Sequence, residues 1–198
     1  MTYGLFGLER PCNELVLEYG AGSYEKKLLK DQLKKVKESE IEIPLIIGGK
    51  EVKTGNMGKC IIPHDRHHIL ATYHKAGESE IQLAIKSALE AKREWEDMPW
   101  EHRVSIFLKA AEMIAGPYRA VLNAATMLNQ SKTVYQSEID AVCESVDYLR
   151  FNPYFMTQLY KEQPLSLQDT WNRMEYRPLE GFVFAVSPFT FTAIACNL

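Results

Sequence analysis

The sequence predicts an α/β fold, and three observations carry the prediction. Phe182 to Val186, within "EGFVFAVSPFTFTAIACNL", is an apolar run without polar alternation, the pattern of a strand covered on both faces in a parallel sheet. Gly48-Gly49 separates two strand-like runs in "IPLIIGGKEV", the mark of a tight hairpin whose turn needs positive φ. Between these regions, from Ser79 to Asn152, apolar residues recur at helical spacing.

In chain order, an irregular start leads into "SYEKKLLKDQLKKVKESE", whose alternating charges and leucines at Leu28, Leu29 and Leu33 predict a solvated helix with a narrow apolar stripe. The balancing acids make its lysines a wet face and not a binding patch. The hairpin follows, then "KCIIPHD" and "HHILATYHKA" as short extended segments. Ile81, Ala84, Ile85, Ala88, Leu89 and Trp95 predict the next helix, with Ser79 and Gln82 as its capping box and Met98-Pro99 as its end. A second helix of this block carries Val104, Phe107, Leu108, Ala111, Ile114 and Ala115 on one face and stops at Gly116-Pro117. A third runs from about Pro117 through Val121, Ala125 and Leu128. The fourth begins near Thr133, turns Ile139, Val142, Val146 and Leu149 inward, and should kink or break at Asn152-Pro153. Thr170 to Arg177 alternates as a half-exposed strand, and Pro178 to Gly181 turns it into the apolar strand. The regions are therefore residues 1–40 (irregular start and helix), 41–76 (β-rich), 77–162 (helical block) and 163–198 (strands, a turn and the start of a helix).

The 198 residues suit one large domain or part of a bigger protein, and 46% hydrophobic residues with 11% aromatics are ample for a core. A net charge of -3, from 23 basic and 26 acidic residues, gives no general pull toward nucleic acid or anionic membranes, which favours small-molecule or protein partners. No apolar stretch approaches a membrane span, and "MTYGLFGLERPCNELVLEYG" lacks the basic start and apolar run of a secretory signal. Cys12, Cys60, Cys143 and Cys196 are scattered without a CxxC pair, which argues against a disulfide framework or zinc site and for a reducing compartment.

Several residues invite chemistry. In "PHDRHH", His64, Asp65, His67 and His68 suggest a metal site, but adjacent histidines on an extended segment face opposite ways, and an exposed loop is the expectation. "NQSKT", Asn129 to Thr133, lacks the glycines of a phosphate loop and reads as a turn between helices capped by Ser131 or Thr133. Glu138, Asp140, Glu144 and Asp147 share one helix, the last three on one side of it, where a solvated acidic stripe is the expectation. Cys196 lies near a helix start, where the dipole lowers a thiol pKa, yet its surroundings are apolar and suit a packing residue. A strand end followed by a helix start is where open α/β sheets bind ligands, and Ser187 and Thr190 put hydroxyls there. Capping and ligand contact both remain open for these two.

"PLEGFVFAVSPFTFTAIACNL" resembles the aldehyde dehydrogenase superfamily at the segment where a strand ends in a proline-aromatic-asparagine turn, and more narrowly the 1-pyrroline-5-carboxylate dehydrogenases. The likeness extends through "IGGKEVKTGN", "PHDRHHILATYHKA" and "IFLKAAEMIAGPYRAVLNAATMLNQSKTVYQSEIDAVCESVDYLRFN", and covers the amino-terminal part of a family chain. It implies an aldehyde dehydrogenase-like fold with an incomplete Rossmann-like NAD-binding domain. It also implies NAD-dependent oxidation of glutamate γ-semialdehyde to glutamate in proline breakdown. By resemblance, Ser187 contacts the cofactor with Pro188 and Phe189 as its backbone neighbours, and Glu144 lies near the substrate. Thr190 stands where the family has the asparagine that donates to the oxyanion, and Cys196 where glycine is expected. The family's nucleophilic cysteine, activating glutamate and glycine-rich turn would lie beyond Leu198. A homo-oligomer is implied for the full protein, in the cytoplasm of a bacterium or the mitochondrial matrix of a eukaryote, with the cytoplasm preferred. The alternatives are a truncated, non-catalytic chain that keeps only interaction surfaces, and a stand-alone binding module.

Overall fold

A computed structural model describes residues 7–194. Helix α1 (Tyr24–Glu38) begins where the Ser23 hydroxyl accepts the Lys26 amide at 3.3 Å, and it buries Leu29 and Val36, seven residues apart on one stripe. Leu28, expected on that stripe, is 41% exposed. Strands β1 (Ile41–Ile43), β4 (Met57–Ile62) and β5 (Asp65–His74) form a sheet in the order β1-β5-β4, with β1 parallel and β4 antiparallel to β5. Strands β2 (Leu45–Ile47) and β3 (Lys50–Val52) form the expected hairpin, with Gly48 and Gly49 at φ +58° and +72°. Both glycines supply the positive φ that a two-residue turn demands. The segment from Asp65 to His68, expected as a loop, belongs to β5, because β4 supplies a ladder for it through Ile62 and Ile61.

Four longer helices follow: α2 (Glu78–Asp97), α3 (Trp100–Ala115), α4 (Arg119–Gln130) and α6 (Glu144–Lys161). Between α4 and α6 lie the single turn α5 (Val134–Ser137) and a π-helical segment, Glu138–Cys143. The cap of α2 differs from expectation: Gly77 precedes the first turn and its amide donates to the Glu80 carboxylate at 2.7 Å, while Ser79 lies inside the helix. Acidic Glu78 and Glu80 there also complement the positive end of the helix.

The predicted break at Asn152-Pro153 does not occur, and α6 runs on to Lys161. Proline costs a hydrogen bond and a clash with the carbonyl four residues earlier. Burial offsets that cost here: Leu149, Pro153 and Thr157 line one buried stripe, and Trp100 of α3 meets Tyr160 edge to face at 6.5 Å. The irregularity lies earlier, in the π-helical turn, which buries Glu138, Ala141, Val142 and Cys143.

Two apolar cores result. One joins Leu29 and Val36 of α1 to Ile62 and Leu70 of the sheet and Ala124 and Leu128 of α4. The other joins Ala111 of α3 to Val142, Val146 and Leu149. Residues 170–177 and 182–186 were expected as strands, but they form no ladder among the described residues, and Phe184 is 82% exposed. An apolar run specifies what a strand must be covered by, and hydrogen-bonding neighbours have to be present for it to pair. The same holds for α2, none of whose residues is buried.

Candidate functional site

The turn at Phe189-Thr190 and the residues that hold it form the candidate site. Helix α4 ends at Ser131, which takes the left-handed conformation at φ 54°. Thr133 then caps α5 with its hydroxyl and exchanges hydrogen bonds with Gln136, so "NQSKT" is the helix-to-helix turn that its residues predicted. Lys132 lies between the two caps. Its Nζ donates to Asp140 Oδ2 at 2.6 Å and to the Thr190 carbonyl at 2.5 Å, and it sits 4.8 Å from the centre of the Phe191 ring. One lysine thus joins the π-helical segment to the turn.

A second tie lies two residues on. The Thr126 hydroxyl donates back to the Leu122 carbonyl at 2.7 Å, so the Thr192 hydroxyl donates to Thr126 Oγ1 at 2.6 Å and accepts from Gln130 Nε2 at 3.1 Å. Ile194 is buried below it. Ser187, Pro188 and Phe189 stay exposed, Phe189 by 91%. A turn held by its backbone carbonyl at 190 and by its side chain at 192, with an open edge at 187–189, is a frame for a ligand that approaches from outside.

The acidic residues of this helix do not act as one solvated stripe. Asp140 faces Lys132, whereas Asp147 accepts from Asn13 Nδ2 at 2.6 Å and from the Glu14 amide at 2.7 Å. Half-buried Glu144 lies between them and is hydrogen-bonded by none of the described residues. Burial pushes its carboxyl above the ordinary value, the Asp140 charge pushes further and Asp147 adds to it, while Lys132 pulls the other way. Such a carboxyl is suited to take up or release a proton nearer to neutral pH than an exposed glutamate.

Sequence reasoning missed the largest polar cluster, around Glu138. This side chain is fully buried, and burial alone would raise its pKa. Hydrogen bonds from Arg119, the Leu17 amide at 2.9 Å, Asn123 at 2.7 Å and the Tyr19 hydroxyl at 2.8 Å outweigh that and hold the carboxyl below the usual range. Arg119 also reaches Glu14 at 2.7 Å and the Leu15 carbonyl at 2.6 Å, and Arg150 donates to Glu14 at 2.7 Å. Every oxygen of Glu138 has its donors, so the cluster clasps residues 13–19 to the helices. Only the helical burial pattern, with Glu138 four positions before Val142, could have hinted at it.

The remaining candidates fall away from the site. Burial and then the Glu138 charge push the Cys143 thiol up to about 11, which leaves it protonated and unreactive. His64 meets the Ser131 hydroxyl at 2.7 Å, and among the described residues no group of three histidines, cysteines or carboxylates could hold a metal ion. Cys196 lies outside the described residues. An apolar cleft of about 660 Å³ between α2 and residues 178–183, walled by Trp95, Leu179, Phe182 and Val183, contains none of the residues singled out for chemistry.

Residues 51–197 match the aldehyde dehydrogenase family. The chain is 44% identical over 189 residues to the mitochondrial Delta-1-pyrroline-5-carboxylate dehydrogenase of Dictyostelium discoideum, covering 95% of this chain and 34% of that protein. It is 47% identical over 195 residues to the Delta-1-pyrroline-5-carboxylate dehydrogenase of Agaricus bisporus, covering 98% and 36%. Among solved structures, Delta-pyrroline-5-carboxylate dehydrogenase from Mycobacterium tuberculosis bound with NAD and cobalamin superimposes with a TM-score of 0.97 at 40% identity, over 100% of this chain and 37% of that one. The chain therefore spans about a third of the length of the curated relatives that it matches.

Proposed function

The chain belongs to the aldehyde dehydrogenase family, and from that premise we propose that it forms the amino-terminal third of a 1-pyrroline-5-carboxylate dehydrogenase. The full protein would oxidise L-glutamate γ-semialdehyde to L-glutamate with NAD, in proline breakdown. The observation that carries this reading is the superposition over the whole chain, at 40% identity, on a dehydrogenase of that name bound with NAD.

The residues fit such a role. Ser187, Pro188 and Phe189 offer an exposed edge to a cofactor, while just beyond it Lys132 holds the Thr190 carbonyl and Thr126 the Thr192 hydroxyl. When bound, NAD supplies the hydride acceptor. Thr190 presents a hydroxyl, one donor, where the family's asparagine presents an amide. A donor aimed at the developing oxyanion contributes about 10²–10³ in turnover. We assign the Glu144 carboxyl, raised by burial and by the Asp140 charge, to the substrate side, where it exchanges a proton. The nucleophilic thiolate and the glutamate that activates water are taken to come from polypeptide beyond Leu198, so residues 163–198 contribute the first strand-turn-helix of the NAD-binding domain. A homo-oligomer is the assembly we propose for the full protein, in the bacterial cytoplasm or, in line with the mitochondrial eukaryotic relatives, in mitochondria.

NADH absorbance tests this. The 198-residue chain given NAD and 1-pyrroline-5-carboxylate should stay silent, and the same chain joined to its in-frame continuation should reduce NAD. Production by the folded chain alone would overturn the account of the missing nucleophile. Silence from the continued protein would overturn the substrate.

A further inference from the structure

Lys132 belongs to neither α4 nor α5, yet its side chain is only 17% exposed and meets the Asp140 carboxylate, the Thr190 carbonyl and the Phe191 ring at once. A surface lysine normally keeps its ammonium in water and its rotamer freedom with it. Here the ion pair with Asp140 at 2.6 Å neutralises the charge, and the bond to Thr190 spends a second donor on backbone.

We propose that Lys132 is a positioning residue for the oxidation proposed above: it fixes the peptide after Thr190 and thereby aims the Thr190 hydroxyl at the oxyanion. This rests on that reading of the function. A bond to the Thr190 carbonyl sets the rotation of the 190–191 peptide, and the Thr192–Thr126 bond sets the chain two residues on. Both ties lie on the carboxyl side of the Thr190 Cα, so they set ψ of Thr190 and the path that leaves it, and with it the tilt of the Cα–Cβ bond against the open edge at 187–189. The threonine hydroxyl takes one of a few staggered χ1 positions and has no χ2, so its place follows wherever the backbone puts Cβ. A longer asparagine could correct a misplaced backbone through χ2; threonine cannot. The clasp therefore matters more in this chain than it would with asparagine at position 190. A misplacement on the order of 1 Å costs about 10²-fold in rate.

The experiment compares Lys132→Met, Lys132→Arg and Asp140→Asn with the parent, in two settings. In the continued, NAD-reducing protein, Lys132→Met should lower kcat about 10- to 100-fold with KM for the aldehyde within about twofold. Lys132→Arg, which keeps charge and donors, should recover most of the loss, and Asp140→Asn should fall between. In the 198-residue chain, chymotrypsin should cut after Phe189 and Phe191 several-fold faster in Lys132→Met and at the parent rate in Lys132→Arg. An active parent whose Lys132→Met variant keeps its kcat, or loses only melting temperature, overturns the positioning role alone. An inactive parent overturns the functional reading and the role with it.

Discussion

Leu149 and Leu165 are the same residue sixteen positions apart, yet one is 4% exposed and the other 91%. The first belongs to a region, residues 13–162, in which helices and a sheet face one another. The second opens a stretch, residues 165–189, in which Leu167, Trp171, Phe184 and Val186 stand exposed by three quarters or more. Apolar character is alike in the two regions, and what separates them is the presence of a partner surface. The contrast extends to polar groups. Glu138, in the first region, is charged and fully buried because four residues donate to it, whereas the second region buries none of its charged residues.

The sharpest way to break the contrast is to remove the centre of the buried cluster. Glu138→Ala leaves the Arg119 guanidinium enclosed with one carboxylate fewer and should cost about 3–5 kcal/mol, read as a fall in the denaturant midpoint at unchanged m. A midpoint shift below about 1 kcal/mol would mean that water or a rotated Glu14 replaces the lost carboxylate. Next in size is a matched pair. Leu149→Ala opens a cavity between α3 and α6 and should cost about 2–4 kcal/mol, while Leu165→Ala should lie within about 0.5 kcal/mol of the parent. Equal effects in thermal unfolding would show that residues 165–189 are covered in solution.

The smallest effect is one of pH. The folded Glu138 carboxyl is held below its ordinary value of 4.5, so its contribution to stability is complete above that value and is lost as pH falls through the depressed folded value. Stability followed by urea titration between pH 7 and pH 3 should therefore decline below about pH 4.5, and Glu138→Gln should flatten part of that slope. A slope unchanged in Glu138→Gln would assign the acid loss to other carboxylates, Glu14 among them.

Much of the fold was legible for local reasons. The Gly48-Gly49 hairpin, the ends of α2 and α3 and the Ser131–Thr133 turn each depend on groups within about four residues of one another. The misreadings share a cause as well. Ser79-Gln82 and Gly77-Glu80 are both locally sensible boxes, and only the path of the chain into α2 selects the second. Pro153 forbids a helix locally and is carried through one by its neighbours in the buried stripe.

Of the candidate site, Ser187, Thr190 and Glu144 could be named from the sequence, and the contacts of Lys132 with Thr190 and Asp140 could not. Lys132 looked like one more polar residue in a turn, because its partners lie 8 and 58 positions away. The Arg119 cluster was invisible for the same reason, with Glu14 and Arg150 paired across 136 positions.

By itself, then, the sequence determined the elements whose hydrogen bonds close within a turn, and the resemblance carried by its longer blocks determined the family. Tertiary structure alone decided which carboxylates are buried and paired, that α6 survives its proline, and that the Thr190 turn is clamped at two points. Backbone propensity and capping act over a few residues, whereas burial and charge pairing depend on which distant surfaces meet, and one linear pattern of apolar and polar residues is compatible with both a covered strand and an exposed one.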